Sequence, residues 1–176
     1  MRFIIVLALL FSSGSIIAQQ APSPECDAFL KTDLDSLSGD YSRGTRQDIV
    51  IAKDGKDVLS VSFMVMDRTI IMSFTAVGGV YCIDETNKVN IFFRDGTSIE
   101  MVNNGKFNCD GDFSLFFYGS FGNKKQYDQI MTKEIDRVKV GLRKSVVDKA
   151  RANFIEATIP EDKSKVIRQV AACLLE

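Results

Sequence analysis

The stretch "NNGKFNCDGDFSLFFYGS", Asn103 to Ser120, crowds Asn and Asp side chains around Cys109 before running into aromatics. Asn108, Asp110 and Asp112 present oxygens at alternate positions, as calcium loops do. An EF-hand loop also needs glycine at its sixth position and glutamate at its twelfth. Counted from Asn108, Gly111 comes too early and the twelfth residue is Gly119. Asn108, Asp110 and Asp112 are therefore a weak calcium set, and no metal or cofactor is expected. Asn-Gly at 104–105 and Asp-Gly at 110–111 read instead as tight turns. On that reading "NNGKFN" folds one strand back on its neighbour, "CDGD" turns again, and "DFSLFFYG" is the next strand.

Other chemistries are limited by what the chain lacks. It contains no histidine, the usual base for activating a serine or cysteine nucleophile. The run "YGSFG" does not have the G-x-S-x-G spacing of a nucleophile elbow. Neither G-x-x-x-x-G-K-[ST] nor G-x-G-x-x-G occurs, so no phosphate cradle is indicated. Without histidine or a CxxC pair, zinc has no ordinary ligand set. Two carboxylates suffice for glycoside hydrolysis, but 23 acids offer no basis for choosing a pair. The absence of Trp removes the usual sugar-stacking surface. No catalytic residue is assigned, and the pattern favours a non-enzyme.

The start of the chain, "MRFIIVLALLFSSGSIIAQQ", has the grammar of a secretory signal over residues 1–18. Arg2 supplies the positive start, Phe3 to Phe11 the apolar run, and Ala18 a small-residue exit. A spanning helix needs about 20 apolar residues, and Ser12, Ser13, Gly14 and Ser15 interrupt this one. No later segment is long and apolar enough to span a bilayer. Residues 19–176 then fit a single domain, exported to the periplasm or the cell exterior. All four cysteines lie in that part, which favours two disulfides.

A net charge of −1 gives no reason to expect nucleic acid. The distribution is uneven, with acids in excess from Gln20 to Asp110 and bases in excess from Asn123 to Arg151. Lys124, Lys125, Arg137, Lys139 and Arg143, with Phe116 and Tyr118, form the candidate interaction surface. Its partner would be another exported protein or an anionic surface.

These residues need elements to position them. Near the start, Ser23, Pro24, Glu25 and Asp27 favour a helix N-terminus, with Cys26, Phe29, Leu30, Leu34 and Leu37 on one face and Gly39 as its stop. From Gln47 the period becomes two, in "DIVIA", "VLSVSFMVM", "TIIMSFT", "GVYCI", "KVNIFF" and "TSIEMV". Asp-Gly at 54–55 and 95–96 marks hairpins, so the strands read as an antiparallel meander. In "FSLFFYG", Phe113, Leu115 and Phe117 share one face and Phe116 and Tyr118 the other, which a helix is expected to cover. "NKKQYDQIMTKEI" reads as a short helix, "DRVKVGLRK" as a half-exposed strand and "NFIEATI" as its partner. Residues 145–154 stay open between helix and strand. Pro160 opens a terminal helix with Val166, Val170 and Cys173 on one face.

The fold class is therefore α+β, a twisted antiparallel meander packed by an N-terminal and a C-terminal helix and stapled by disulfides. Four cysteines allow three pairings. Both terminal helices point a cysteine inward, which favours Cys26–Cys173, and Cys82–Cys109 then flanks a three-strand segment.

The segments "NKVNIFFRDGTSIEMVNNGKFNCDG", "EIDRVKVGL" and the terminal "VAACL" resemble small exported proteins of unknown function from Bacteroidota. The resemblance runs from about Thr75 to Leu174, and "FRDG" and "FNCDG" are its most specific pieces. It implies an exported compartment and a similar fold, and it carries over no catalytic residue. The leading expectation is an exported non-enzymatic binding or structural module that uses an edge strand or an exposed sheet face. A small-ligand carrier with an apolar pocket and a carboxylate-based hydrolase are the alternatives.

Overall fold

A computed structural model describes residues 24–34, 41–143 and 153–175. The expected signal peptide, residues 1–18, lies outside them, as does nearly all of the 145–154 segment. The described chain is mostly antiparallel sheet with three α-helices. Helix α1 (Pro24–Phe29) leads into β1 (Leu30–Leu34), β2 (Tyr41–Thr45), β3 (Ile49–Asp54), β4 (Asp57–Met66) and β5 (Thr69–Val77). Then follow β6 (Lys88–Phe93), β7 (Ser98–Val102), β8 (Asp112–Phe117), a 3-10 turn (Gly119–Phe121) and α2 (Lys124–Thr132). The last elements are β9 (Ile135–Gly141), β10 (Phe154–Thr158) and α3 (Glu161–Cys173).

The Asp-Gly hairpins form where the turn chemistry places them. Asp54 pairs with Asp57 across Gly55, whose φ of 60° suits the first loop position of a tight hairpin turn. Thr97 follows Gly96 and donates its backbone N–H and hydroxyl to Asp95 Oδ1 at 2.9 and 2.6 Å. That Asx turn brings β7 back onto β6.

The strands divide between two sheets rather than one. The six-stranded sheet runs β1-β2-β4-β5-β8, with β3 beside β2 along the same edge of β4. The four-stranded sheet runs β10-β9-β6-β7. Consequently "NNGKFN" does not fold β7 onto β8. It carries the chain from one sheet to the other, and β8 pairs with β5. The segment "GVYCI" makes only isolated bridges, Tyr81 to Asp110 and Ile83 to Asn108.

The N-terminal helix is shorter than its periodicity suggests. It ends at Phe29, because Leu30 to Leu34 form a five-residue antiparallel ladder with Thr45 to Tyr41. Arg46 donates its N–H to the Phe29 carbonyl at 2.8 Å and extends that ladder. Leu34, expected on a buried helix face, is 55% exposed. A cross-strand ladder plus sheet burial outweighs helix propensity, which is a weak prior.

Both disulfides pair as expected, Cys26 with Cys173 and Cys82 with Cys109. One hydrophobic core takes Val61, Phe74, Phe113, Leu115 and Phe117 from the large sheet and Val89, Ile91, Val138 and Val140 from the small one. Tyr127 and Ile130 of α2 and Ile167, Val170 and Ala171 of α3 complete it. The Tyr127 hydroxyl donates to the Ala171 carbonyl at 2.7 Å and joins the two helices. Burial, with Tyr118 beside it, pushes the Tyr127 phenol far above its ordinary range.

No described helix covers Phe116, whereas Tyr118 meets α2, and the two do not share a face. Helix α2 packs on the inner side, with Tyr127 against the Phe117 and Tyr118 rings. Tyr118 has a φ of 63°, which breaks the strand's alternation and turns its ring to α2. Phe116 stays on the outer face, where the Phe121 ring meets it edge-on at 4.8 Å. Helix α3 packs against α1, α2, β3 and β9.

Candidate functional site

The Asn108 set builds a turn. Asn108 Oδ1 accepts the N–H groups of Asp110 and Asp112 at 3.2 and 3.1 Å. Its Nδ2 donates to the carbonyls of Lys106 and Asp112 at 3.2 and 2.8 Å. Asp112 Oδ1 accepts the Thr75 hydroxyl at 2.8 Å. The Asn108 amide is thus committed to the backbone. Gly111, at φ 82°, lies so close to the Ala76 carbonyl that any Cβ would collide with it. Among the described residues no group of three or more His, Cys, Asp or Glu is placed to hold a metal.

The candidate interaction residues fall in separate places. Lys124 and Lys125 are exposed at the start of α2, near Tyr118. Arg137 and Lys139 lie on the outer face of the small sheet, and Arg143 follows β9. Most of their charge is met locally. Lys124 pairs with Asp128 at 2.8 Å, an interaction that holds its ammonium above the ordinary lysine range. Arg137 pairs with Glu156 and lies over the Phe92 ring. Lys139 reaches Glu156 at 3.9 Å and sits over Phe154. Arg143 reaches Asp84 at 3.9 Å and lies over Phe107.

The shifted carboxylates are all held ionised. Thr86, by hydroxyl and N–H, lowers Asp84, and the Lys165 ammonium lowers Glu161. Lys133 first, then Thr97, brings Asp95 down to about 2. A general acid at neutral pH needs a shift in the opposite direction.

Three features escape a one-dimensional reading. The first is a sealed edge. In β8 the backbone groups of Ser114 and Phe116 face away from β5 and meet three asparagines. Asn103 Oδ1 accepts Ser114 N–H at 2.9 Å, and Asn104 N–H donates to the Ser114 carbonyl at 2.8 Å. Asn104 Oδ1 accepts Phe116 N–H at 3.0 Å, and Asn123 Nδ2 donates to the Phe116 carbonyl at 3.1 Å. An open edge invites another strand, and these amides occupy that place.

The second is the outer face of the six-stranded sheet. Register places Gly44, Met64, Ile71 and Phe116 in one cross-strand row. Ser62, Ser73 and Ser114 form the next, with the Ser73 and Ser114 hydroxyls 3.2 Å apart. Ile71 is buried yet stands apart from the main core, while Met64, Met66 and Phe121 are 39–47% exposed. Because Gly44 has no side chain, the face dips beside Met64 into a hollow of about 240 Å³. Ser42, Thr45, Ser62 and Ser73 line it, with Lys31, Asp33 and Asp48 at its edge.

The third is a cleft of about 290 Å³ where the β3–β4 hairpin meets β10. Its floor is Leu59, Ala76, Leu142 and Ala157, and Lys53, Asp54, Asp57 and Glu156 stand around it. The alternation in "FSLFFYG" was the one available sequence signal for the outer face, while nothing in the sequence joins the cleft's scattered segments.

Comparison with known proteins finds no matching family model, no matching curated protein and no matching solved structure. The two disulfides belong to an oxidising environment. No described helix is long and apolar enough to cross a membrane.

Proposed function

We propose that the chain is an exported, non-catalytic binding module that meets another exported protein through the outer face of its six-stranded sheet. The observation that carries this reading is the Met64–Ile71–Phe116 row, with Met66 and Phe121, on a face that no described helix covers. Methionine is flexible and polarisable, so such a surface adapts to a partner's shape. Hydroxyls beside the row supply hydrogen bonds without the desolvation cost of charge. At the β8 side of this face the sealed edge leaves contact through side chains, in place of strand addition. Export rests on the leader expected at residues 1–18, on the disulfides and on the Bacteroidota resemblance.

Site-specific photocrosslinking in the native host tests this. A benzophenone side chain at position 64 or 121 should give one discrete protein adduct. The same group at Val102, exposed on the other sheet, should not. Equal labelling from position 102, or no adduct from 64 and 121, would remove the outer face as the docking surface.

A further inference from the structure

The cleft between the β3–β4 hairpin and β10 owes its shape to small side chains. Across the large sheet, Ala52 pairs with Leu59, and Leu59 pairs with Ala76. Ala157 of β10 faces them from the small sheet. Small residues at these positions leave space where a neighbouring row, Val61 with Phe74 and Phe113, fills it. Leu59, Ala76, Leu142 and Ala157, only 4–7% exposed, give the cleft a packed apolar floor.

The rim has a charge bias. Among the described lining residues, Asp54, Asp57 and Glu156 carry carboxylates and Lys53 an ammonium. Glu156 pairs with Arg137 and Lys139 on the outer face of the small sheet, so the bias rests on Asp54 and Asp57. Asp54 and Asp57 face each other directly in the hairpin register, and neither has an ion pair among the described residues. Like charges placed opposite on adjacent strands repel. A cation between them would relieve that repulsion.

We infer that this cleft is a binding site for a small amphipathic amine, its apolar body against Leu59, Ala76 and Ala157 and its ammonium between Asp54 and Asp57. At about 290 Å³ the cleft falls just under the size of small-molecule pockets, roughly 300–1,000 Å³, so the ligand carries one ring or a short alkyl chain. The inference is independent of the outer face, and substitution of Met64 leaves it unchanged.

The oxidised mature chain titrated with three probes, followed by backbone amide NMR at low ionic strength, tests it. The probes are 2-phenylethylamine, 2-phenylethanol and phenylacetate, alike in ring and opposite or neutral in charge. The amine should bind about tenfold more tightly than the acid, with shifts at Ala52, Ala76 and Ala157. The double variant Asp54→Asn, Asp57→Asn should bring the amine close to the alcohol while leaving the alcohol's affinity unchanged. Equal affinity for amine and acid would overturn the inference. So would no binding of the amine, shifts confined to residues outside the cleft, or an Asp54→Asn, Asp57→Asn chain that keeps its preference.

Discussion

Asn103 Oδ1 accepts the backbone N–H of Ser114 at 2.9 Å and so ties the exit of the small sheet to the last strand of the large one. The same oxygen accepts Gly105 N–H, and Nδ2 donates to the carbonyls of Asp84 and Gly105. The residue is 3% exposed, so water does not readily replace these partners. Asn103→Ala should lower unfolding free energy by about 3 kcal/mol, since each buried orphan costs about 1–3 kcal/mol. Urea unfolding measures it, and a loss below 1 kcal/mol would mean that solvent reaches the site.

The edge function of the other two amides separates from stability. Asn104→Ala with Asn123→Ala removes the acceptor for Phe116 N–H and the donor to its carbonyl. The variant should stay folded and associate as concentration rises, because an unpaired edge templates further strands. Sedimentation velocity reads this directly. A double variant that stays as dispersed as the parent would show that side-chain bulk, rather than the amides, protects β8.

The contrast between Asn104–Gly105 and Asp95–Gly96 shows what local sequence carries. Both dipeptides mark bends, and both bends are present. At Gly96 the following strand has an adjacent partner of matching alternation, so the turn closes a hairpin. Beyond Gly105 the next residues instead cross toward the other sheet, and on the way Asn108 and the Cys82–Cys109 bond hold them against Ile83. Turn chemistry states that the chain bends and is silent on which strand it rejoins. Leu30 and Leu34 fail for a related reason, since their helical spacing is also compatible with a strand once β2 lies alongside. Period-two alternation in Phe113, Leu115 and Phe117 was legible because it reports burial directly. The basic residues of β9 were legible as charges, whereas Glu156, Phe92 and Phe154 come beside Arg137 and Lys139 only through cross-strand register.

The two disulfides close loops of very different length. Cys26 and Cys173 are 147 residues apart, Cys82 and Cys109 only 27. In the chain-entropy model the longer loop is worth about 5 kcal/mol and the shorter about 3.5 kcal/mol. Cys26→Ala with Cys173→Ala should therefore lower the unfolding midpoint more than Cys82→Ala with Cys109→Ala. The reverse order would show that the shorter bond holds structure beyond its entropy, through the Ile83–Asn108 bridge and the Arg143 N–H to Cys82 carbonyl bond.

Ser164 gives a prediction of opposite sign. Its side chain is fully buried in α3, and its hydroxyl has no hydrogen-bond partner among the described residues. A buried unsatisfied hydroxyl costs about 1–3 kcal/mol, and alanine is the better helix former. Ser164→Ala should raise stability by about 1 kcal/mol, read as a higher denaturant midpoint with unchanged slope. A lower midpoint would reveal a bound water bridging the hydroxyl to the core.

Acid sensitivity follows from Asp95. The Lys133 ammonium, 2.8 Å from Oδ2, and then the Thr97 hydroxyl and N–H hold its carboxyl at about 2, below the ordinary 3.8. A carboxyl lowered by folding binds protons more tightly in the unfolded chain, so stability rises with pH between the two values. Its contribution is complete above about pH 4 and is lost as pH falls toward 2. Asp84 and Glu161, also lowered, act in the same direction. Asp95→Asn keeps an oxygen for Thr97 but gives up the charge facing Lys133. Its melting temperature should lie below the parent's at neutral pH, and the gap should close on acidification to about pH 2. Salt should narrow the gap as well, because the pair is exposed and screened. Thermal melts by circular dichroism at pH 7, 5, 3.5 and 2 decide the matter. A gap that persists at pH 2 would mean that Asp95 acts through turn geometry rather than charge.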